Sequence, residues 1–233
     1  MSNDSAFLEF IQLVVNGDVD AVSERIMAGP TLAAIAAKVG ASRQNAQDFF
    51  FAEINHYLYA GDTALHMAAA AFRRPVAQLL VAHGAVCRTK NRRGAEPLHY
   101  AADANHWDPA AQAEMIAYLL SVGADPNATD SAGVAPLHRA VRTRSLPAVR
   151  ALLDGGANPR ARNRAGSTPL HLAVQTTGRG GSGSPHARQQ QTGIIRLLLE
   201  RGARPTDKNE RGKQVRQAAT SEWIRTLLIG ASA

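Results

Sequence analysis

The sequence predicts an all-α protein, a solenoid of paired antiparallel helices, and three observations predict it. The phrase Gly-x-x-Pro/Ala-Leu-His-x-Ala occurs four times, starting at Gly61, Gly94, Gly133 and Gly166, and a worn fifth copy starts at Gly212. These glycines are 33, 39, 33 and 46 residues apart, so a base period of 33 is stretched twice by insertions. A second phrase, Leu-Leu-x-x-Gly-Ala, follows each full copy, at Leu119, Leu152 and Leu198 and, one residue longer, at Leu79. Repetition at such a period marks stacked supersecondary units, each unable to bury its apolar face alone.

The elements follow in chain order. Residues 1–60 lack the phrase. Ala6 to Val15 reads as a helix with an apolar face. Asn16-Gly17-Asp18 is a turn, and Asp18 is placed to cap a helix from Val19 to Met27 that Gly29-Pro30 ends. Thr31 is expected to cap a helix from Leu32 to Val39, broken by Gly40. Ser42 is expected to cap a last helix running through Phe49, Phe50, Phe51 and Ile54. This segment reads as an N-terminal cap over the exposed apolar side of the first repeat.

Each repeat then follows one plan. In the fullest copy Thr168 can cap the first helix, and Pro169 takes the first helical position, where its missing N–H costs nothing. Leu170 points inward, and Ala173 is small enough for close stacking. The second helix ends in the leucine pair, which supplies core, and in a glycine able to take the left-handed conformation that stops a helix. A polar arm such as Asn158–Ala165 leads into the next copy. The last copy carries Gln214, Arg216 and Gln217 where the others carry the cap, the histidine and an apolar residue, as a polar closing repeat should.

The period and both phrases together resemble the ankyrin repeat, over residues 58 to 233. The resemblance implies repeats at 61–93, 94–132, 133–165 and 166–211 and a C-terminal capping repeat at 212–233. It makes the pair around Asn16-Gly17-Asp18-Val19 look like a degenerate repeat, although helices are expected after it where the family has a hairpin. It turns each polar arm into a short β-hairpin finger. The 94–132 repeat carries a 6-residue insertion within 103–113, including Trp107, and the 166–211 repeat a 13-residue one within 177–191. The second is rich in Gly, Ser and Gln and is expected to be disordered.

Composition narrows the function classes. The net charge is +7, divided as −4 over residues 1–60 (3 Lys/Arg, 7 Asp/Glu) and +11 over 61–233 (23 and 12). Such a basic array suits an acidic partner or a polyanion, although the strong excess of Arg over Lys also fits mere codon composition. No apolar run approaches the roughly 18 residues of a membrane span. Met1-Ser2-Asn3-Asp4 lacks a secretory start. The lone Cys87 fits a reducing compartment, so a cytoplasmic protein is expected, and the Arg/Ala richness suggests a bacterial source.

No catalytic motif stands out. Gly178–Gly183 lacks the Gly-Lys-Ser/Thr ending of a phosphate loop. His66, His99, His138 and His171 recur once per repeat, but packed helices lie roughly 8–10 Å apart. That is too far for equivalent histidines to share a metal through bonds of about 2 Å. In the family this histidine is structural, its ring bonding the cap or nearby backbone. No metal or cofactor is expected, and no enzyme.

The resemblance instead implies a concave binding face built from finger tips and first helices. Carried onto this sequence, its finger positions are Arg92 and Arg93, Ser131 and Ala132, Arg164 and Ala165, and Glu210 and Arg211. Its helix positions are Asp103, Arg142 and Gln175. Arg144, Arg160, Arg162 and Trp107 form a secondary surface. The function implied is a non-catalytic, monomeric scaffold that holds an acidic protein partner, since Arg offers rigid multi-donor contacts to carboxylates. The alternative is nucleic acid or another polyanion, against which stands a shortage of aromatic residues to stack on bases. A merely solvated arginine surface is the plain alternative to both.

Overall fold

The structure, a computed structural model of the 233-residue chain, describes residues 3–103, 108–175 and 184–230. Its α-helices fall into six consecutive pairs: α1 (Asn3–Asn16) with α2 (Val19–Ala28), α3 (Ala64–Ala70) with α4 (Arg74–Ala82), and α5 (Pro97–Ala102) with α6 (Pro109–Ser121). They continue as α7 (Pro136–Thr143) with α8 (Leu146–Asp154), α9 (Pro169–Ala173) with α10 (Pro185–Glu200), and α11 (Val215–Ala218) with α12 (Glu222–Gly230). First helices stack on first helices, α1 on α3, then α5, α7, α9 and α11, while α2, α4, α6, α8 and α10 form the outer row. The core runs through the whole stack. Leu65, Leu98, Leu137 and Leu170 of the repeated phrase lose all but about 1% of their exposure, and each such burial contributes roughly 1.5–3 kcal/mol.

The histidine explains why such short first helices hold. Thr168 N–H donates to His171 Nδ1 at 3.1 Å, and Thr168 Oγ1 lies 2.9 Å from the same nitrogen. A nitrogen that accepts an N–H carries no proton, so the ring is neutral and protonated at Nε2. Nε2 then donates to the carbonyl of Lys213 in the next repeat at 3.2 Å. His66 reaches Ala95 O at 3.1 Å, His99 reaches Val134 O at 3.0 Å and His138 reaches Ser167 O at 3.1 Å. One side chain thus caps a helix and ties two repeats. In the last copy Gln217 Oε1 takes the first role alone, accepting from Gln214 N–H at 2.9 Å.

The fingers are tight turns closed by an Asn or Asp side chain. Asn91 Oδ1 accepts from Arg93 N and Ala95 N at 2.9 and 3.0 Å, and Asp130, Asn163 and Asn209 repeat the arrangement. One backbone bond joins each finger to the one before: Arg92 N to Ala60 O, Ser131 N to Arg93 O, Arg164 N to Ala132 O and Glu210 N to Ala165 O, at 2.8–3.1 Å. Of the glycines that open the repeats, Gly166 leaves the least room for a side chain. Its φ is +66°, and a Cβ there would come within 2.6 Å of Glu210 N.

Residues 30–57 depart from the expected helices. In place of a helix from Leu32 to Val39 there is a single 3₁₀ turn, Pro30–Ala33. The chain then runs beside the first finger, with Ala37 N to Asp62 O at 2.7 Å, Gly61 N to Ala37 O at 2.8 Å and Ala41 N to Leu58 O at 2.8 Å. The finger offers these amides partners that a helix would otherwise have supplied. Gly40 makes the approach feasible, since a Cβ would meet Ala60 N at 2.4 Å.

The helix expected from Ser42 through Ile54 is replaced by short 3₁₀ turns, Ala46–Phe49 and Ala52–Ile54, and a hairpin of β1 (Phe50–Phe51) with β2 (His56–Tyr57). Asn45 Oδ1 takes both the amide and the hydroxyl of Ser42, whose Oγ accepts from Gln44 N at 3.3 Å, so Ser42 closes a turn and caps no helix. Phe50 stacks on Tyr57, centroids 4.8 Å apart, and Asn55 turns the corner with φ 47°. Phe49 and Phe51 are buried and Phe50 half-buried, an alternation of period two rather than 3.6.

The disorder expected over 177–191 is corrected for its second part. Ser184 Oγ caps α10 at Ala187 N, 3.2 Å, and residues 185–191 are its first turns. The rest of that insertion, and Trp107, lie outside the described residues.

Candidate functional site

A cavity of about 380 Å³ opens on the face formed by the fingers and first helices. Its wall comes from the hairpin (His56, Tyr57), the first two fingers (Tyr59, Arg93), α5 and its end (Tyr100, Asp103) and α7 (Arg139, Arg142). Three expected binding residues, Arg93, Asp103 and Arg142, meet there. The others spread along the face. Ser131, Arg164 and Arg211 are exposed at finger tips, and Gln175 is exposed past α9.

Several expected contact residues are committed to the protein itself. Arg92 Nη2 donates to Ala41 O at 3.1 Å and so fastens the N-terminal segment to the second finger. Arg144 Nη2 donates to Gln175 O at 3.0 Å. Arg160 grips Asp207 through Nε and Nη2 at 3.0 and 2.6 Å, and Arg162 donates to Lys208 O. These last bonds couple neighbouring fingers.

Behind the cavity lies a buried polar layer. Asp62, fully buried, accepts from Tyr59 N at 2.6 Å, Asn91 Nδ2 at 2.8 Å and Tyr100 Oη at 2.8 Å. Burial and the neighbouring Asp62 carboxylate push the Tyr100 phenol well above its ordinary value, so it stays a donor. Arg139 holds Asp103 through Nη1 at 2.6 Å and Asp130 through Nη2 at 2.8 Å. Burial works against the Asp130 charge, but Arg139 and the Val134 and Ala132 amides outweigh it and hold the carboxyl below its usual range. Arg142 Nη2 takes the second oxygen of Asp103 at 2.7 Å, with its own side chain 66% exposed. Arg93 lies over the Tyr59 ring, 3.8 Å from its centroid, and makes no ion pair among the described residues.

Aromatic rings line one side. His56 lies 4.7 Å from Tyr100 and 6.3 Å from Tyr59, which is 6.3 Å from Tyr57, all centroid distances suited to tilted or edge contacts. Burial lowers the His56 pKa, so the ring is neutral, and its Nδ1 donates to Tyr57 O at 2.8 Å. The face of fingers and first helices therefore does carry aromatic residues, gathered at one end, contrary to the sequence expectation. The sequence hides them because Phe49 to Ile54 fits a helix, and only the pairing of Phe50 and Phe51 with Tyr57 and His56 brings the latter two to this face. Tyr100 and Arg139 were legible in principle: they occupy the variable place of Leu-His-x-Ala, one helical turn before Asp103 and Arg142 and on the same face.

Stacked helix pairs with linked finger turns define a helical-repeat solenoid. The family model described as ankyrin repeats (3 copies) matches this chain over residues 7–130 and again over 108–210, and the chain belongs to that family. The first match begins inside α1, well before Gly61. No curated protein matches the chain significantly. Ankyrin repeats generally mediate protein–protein interaction and are typically non-enzymatic. Among the described residues no helix is long and apolar enough to cross a membrane.

Proposed function

We propose that the chain is a non-catalytic scaffold holding one protein partner on the face of fingers and first helices, with residues 1–60 acting as both cap and end wall. The observation that carries this reading is the division of labour among the arginines. Arg92, Arg139, Arg160 and Arg162 are spent on internal bonds, whereas Arg93, Arg164 and Arg211 present charge along one face, joined by Arg142, which gives Asp103 only Nη2 and stays 66% exposed. Exposed guanidinium groups with free donors suit carboxylates of a partner. The reading carries with it a cytoplasmic monomer, in which Cys87 stays a buried thiol donating to Val122 O at 3.3 Å.

The test is capture from the source cell's lysate by the wild type and by a variant with Arg93, Arg142, Arg164 and Arg211 changed to Ser. Arg92 is left intact because its loss would loosen the N-terminal segment. A protein held by the wild type alone, and retained after nuclease, supports the scaffold. Capture lost with nuclease, and falling steeply with salt whatever the sequence, would transfer the face to nucleic acid. An identical catch from both proteins would make the arginines a solvated surface.

A further inference from the structure

The cavity at the hairpin end has a chemistry that the rest of the face lacks. Tyr57, Tyr59, His56 and Tyr100 supply ring surface on one side. Tyr100 is only 2% exposed and its hydroxyl is consumed by Asp62, so it forms the floor, and the accessible rings are those of His56, Tyr57 and Tyr59. Arg93 uses one face of its guanidinium on Tyr59, so its N–H edges stay open in the plane above that ring. Arg142 spends only Nη2 on Asp103 and is mostly exposed. Arg139 and Asp103 are paired with each other and only 15% and 12% exposed along their side chains, so they offset each other's charge and present little of it to a ligand. What remains unspent is cationic and planar on one side and aromatic on the other. The volume, about 380 Å³, stands at the small end of the roughly 300–1,000 Å³ usual for ligand sites. It is far larger than one carboxylate needs.

We propose that this cavity, walled by the hairpin of residues 50–57, is the specificity pocket of the scaffold and takes a peptide segment in which an acidic side chain stands beside an aromatic one. The carboxylate would lie between Arg93 and Arg142, and the ring against His56, Tyr57 and Tyr59, with Tyr100 beneath them. The inference rests on the scaffold reading and adds to it the class of residue recognised and the end of the face where recognition happens. Preorganisation supports it: Asp103 holds Arg142, Arg93 lies over Tyr59, Tyr57 packs on Phe50 and His56 bonds Tyr57 O before any partner arrives, so little ordering cost remains.

The test is selection of a displayed random dodecapeptide library on the full chain, followed by fluorescence polarisation of labelled recovered peptides. The expected recovered sequences carry Asp or Glu within two positions of Phe, Tyr or Trp. Changing that acid to its amide should weaken binding at least tenfold. Arg93→Gln and Arg142→Gln should each do the same while keeping the thermal midpoint of the wild type. Arg93→Lys, which keeps charge but not the planar fork, should fall between. Recovered peptides without an acid, affinities unmoved by both variants, or no enrichment at all would each overturn the pocket. A benzoate or indole-3-acetate ion that binds as tightly as the peptides would overturn it in favour of a small carboxylate. Partner capture that depends on Arg164 and Arg211 would survive any of these results, so failure of the pocket and failure of the scaffold can be told apart.

Discussion

The two ends of the finger face use the same residue types for different ends. At the hairpin end, Asp62, Asn91, Tyr100, Asp103 and Arg139 form a layer shielded from water, and Arg139 is only 15% exposed along its side chain. At the far end Arg160 pairs with Asp207 just as closely, but its side chain is 41% exposed. Water competes with the second pair and not with the first. Burial rather than the number of charges therefore decides which bonds hold the fold. It also decides which end can present a shaped pocket and which only a charged surface.

The sharpest way to break this contrast is Asp62→Ala. It strands the Tyr59 amide, one N–H of the Asn91 side chain and the Tyr100 hydroxyl proton, and should cost about 3 kcal/mol of unfolding free energy in urea titrations. A loss no larger than that from an exposed pair would put the two ends on equal terms.

Acid should produce the next largest effect. Burial and the nearby Arg139 lower the His99 pKa from 6.5 to about 4, and burial also lowers those of His66, His138 and His171. In the unfolded chain these rings protonate near 6.5, whereas in the fold Nδ1 is occupied by an amide. Stability is thus complete above pH 6.5 and is lost as pH falls toward 4, about 3 kcal/mol of it through His99. A thermal midpoint that stays level across that window would contradict the neutral ring. His99→Gln should flatten the decline and cost less than His99→Ala, because Gln217 already performs half of the task in the last copy.

A smaller gain is expected from Glu96→Thr. Glu96 stands where Thr63 and Thr168 stand, and its Oε2 is buried without a partner. Burial raises its pKa, which opposes the histidines in acid. Threonine should add about 1 kcal/mol and steepen the acid decline. The smallest effect belongs to Arg160→Ser, which should leave the denaturation midpoint where it is. A clear drop would mean that the exposed finger bonds carry load after all.

The repeated half of the chain was legible because its signals are redundant: Leu98, His99 and Gly94 each point to the same helix start, and the neighbouring copies repeat them. Residues 30–57 carry no such redundancy. Ile35 and Val39 fit a helical stripe yet stay 41% and 44% exposed, because the amides around Ala37 and Ala41 find partners in a finger distant in sequence. The site followed the same division. Arg93, Asp103 and Arg142 were reachable from the repeat, whereas His56, Tyr57 and Tyr59 needed the hairpin. That Arg92 and Arg160 are spoken for depends on partners 51 and 47 residues away, which no local pattern reveals.

The glycine that opens each repeat answers two demands, and the protein supplies its own control for separating them. At Gly166 a side chain would be refused both by its backbone, φ +66°, and by the following finger at 2.6 Å. At Gly212 the backbone is the same, φ +72°, but a Cβ would meet nothing within 4 Å. An asparagine, which tolerates the left-handed region, would therefore be acceptable at 212 and forbidden at 166. The invariance of the motif is thus a property of neighbours as much as of the motif: a position becomes strict only when something is stacked on it.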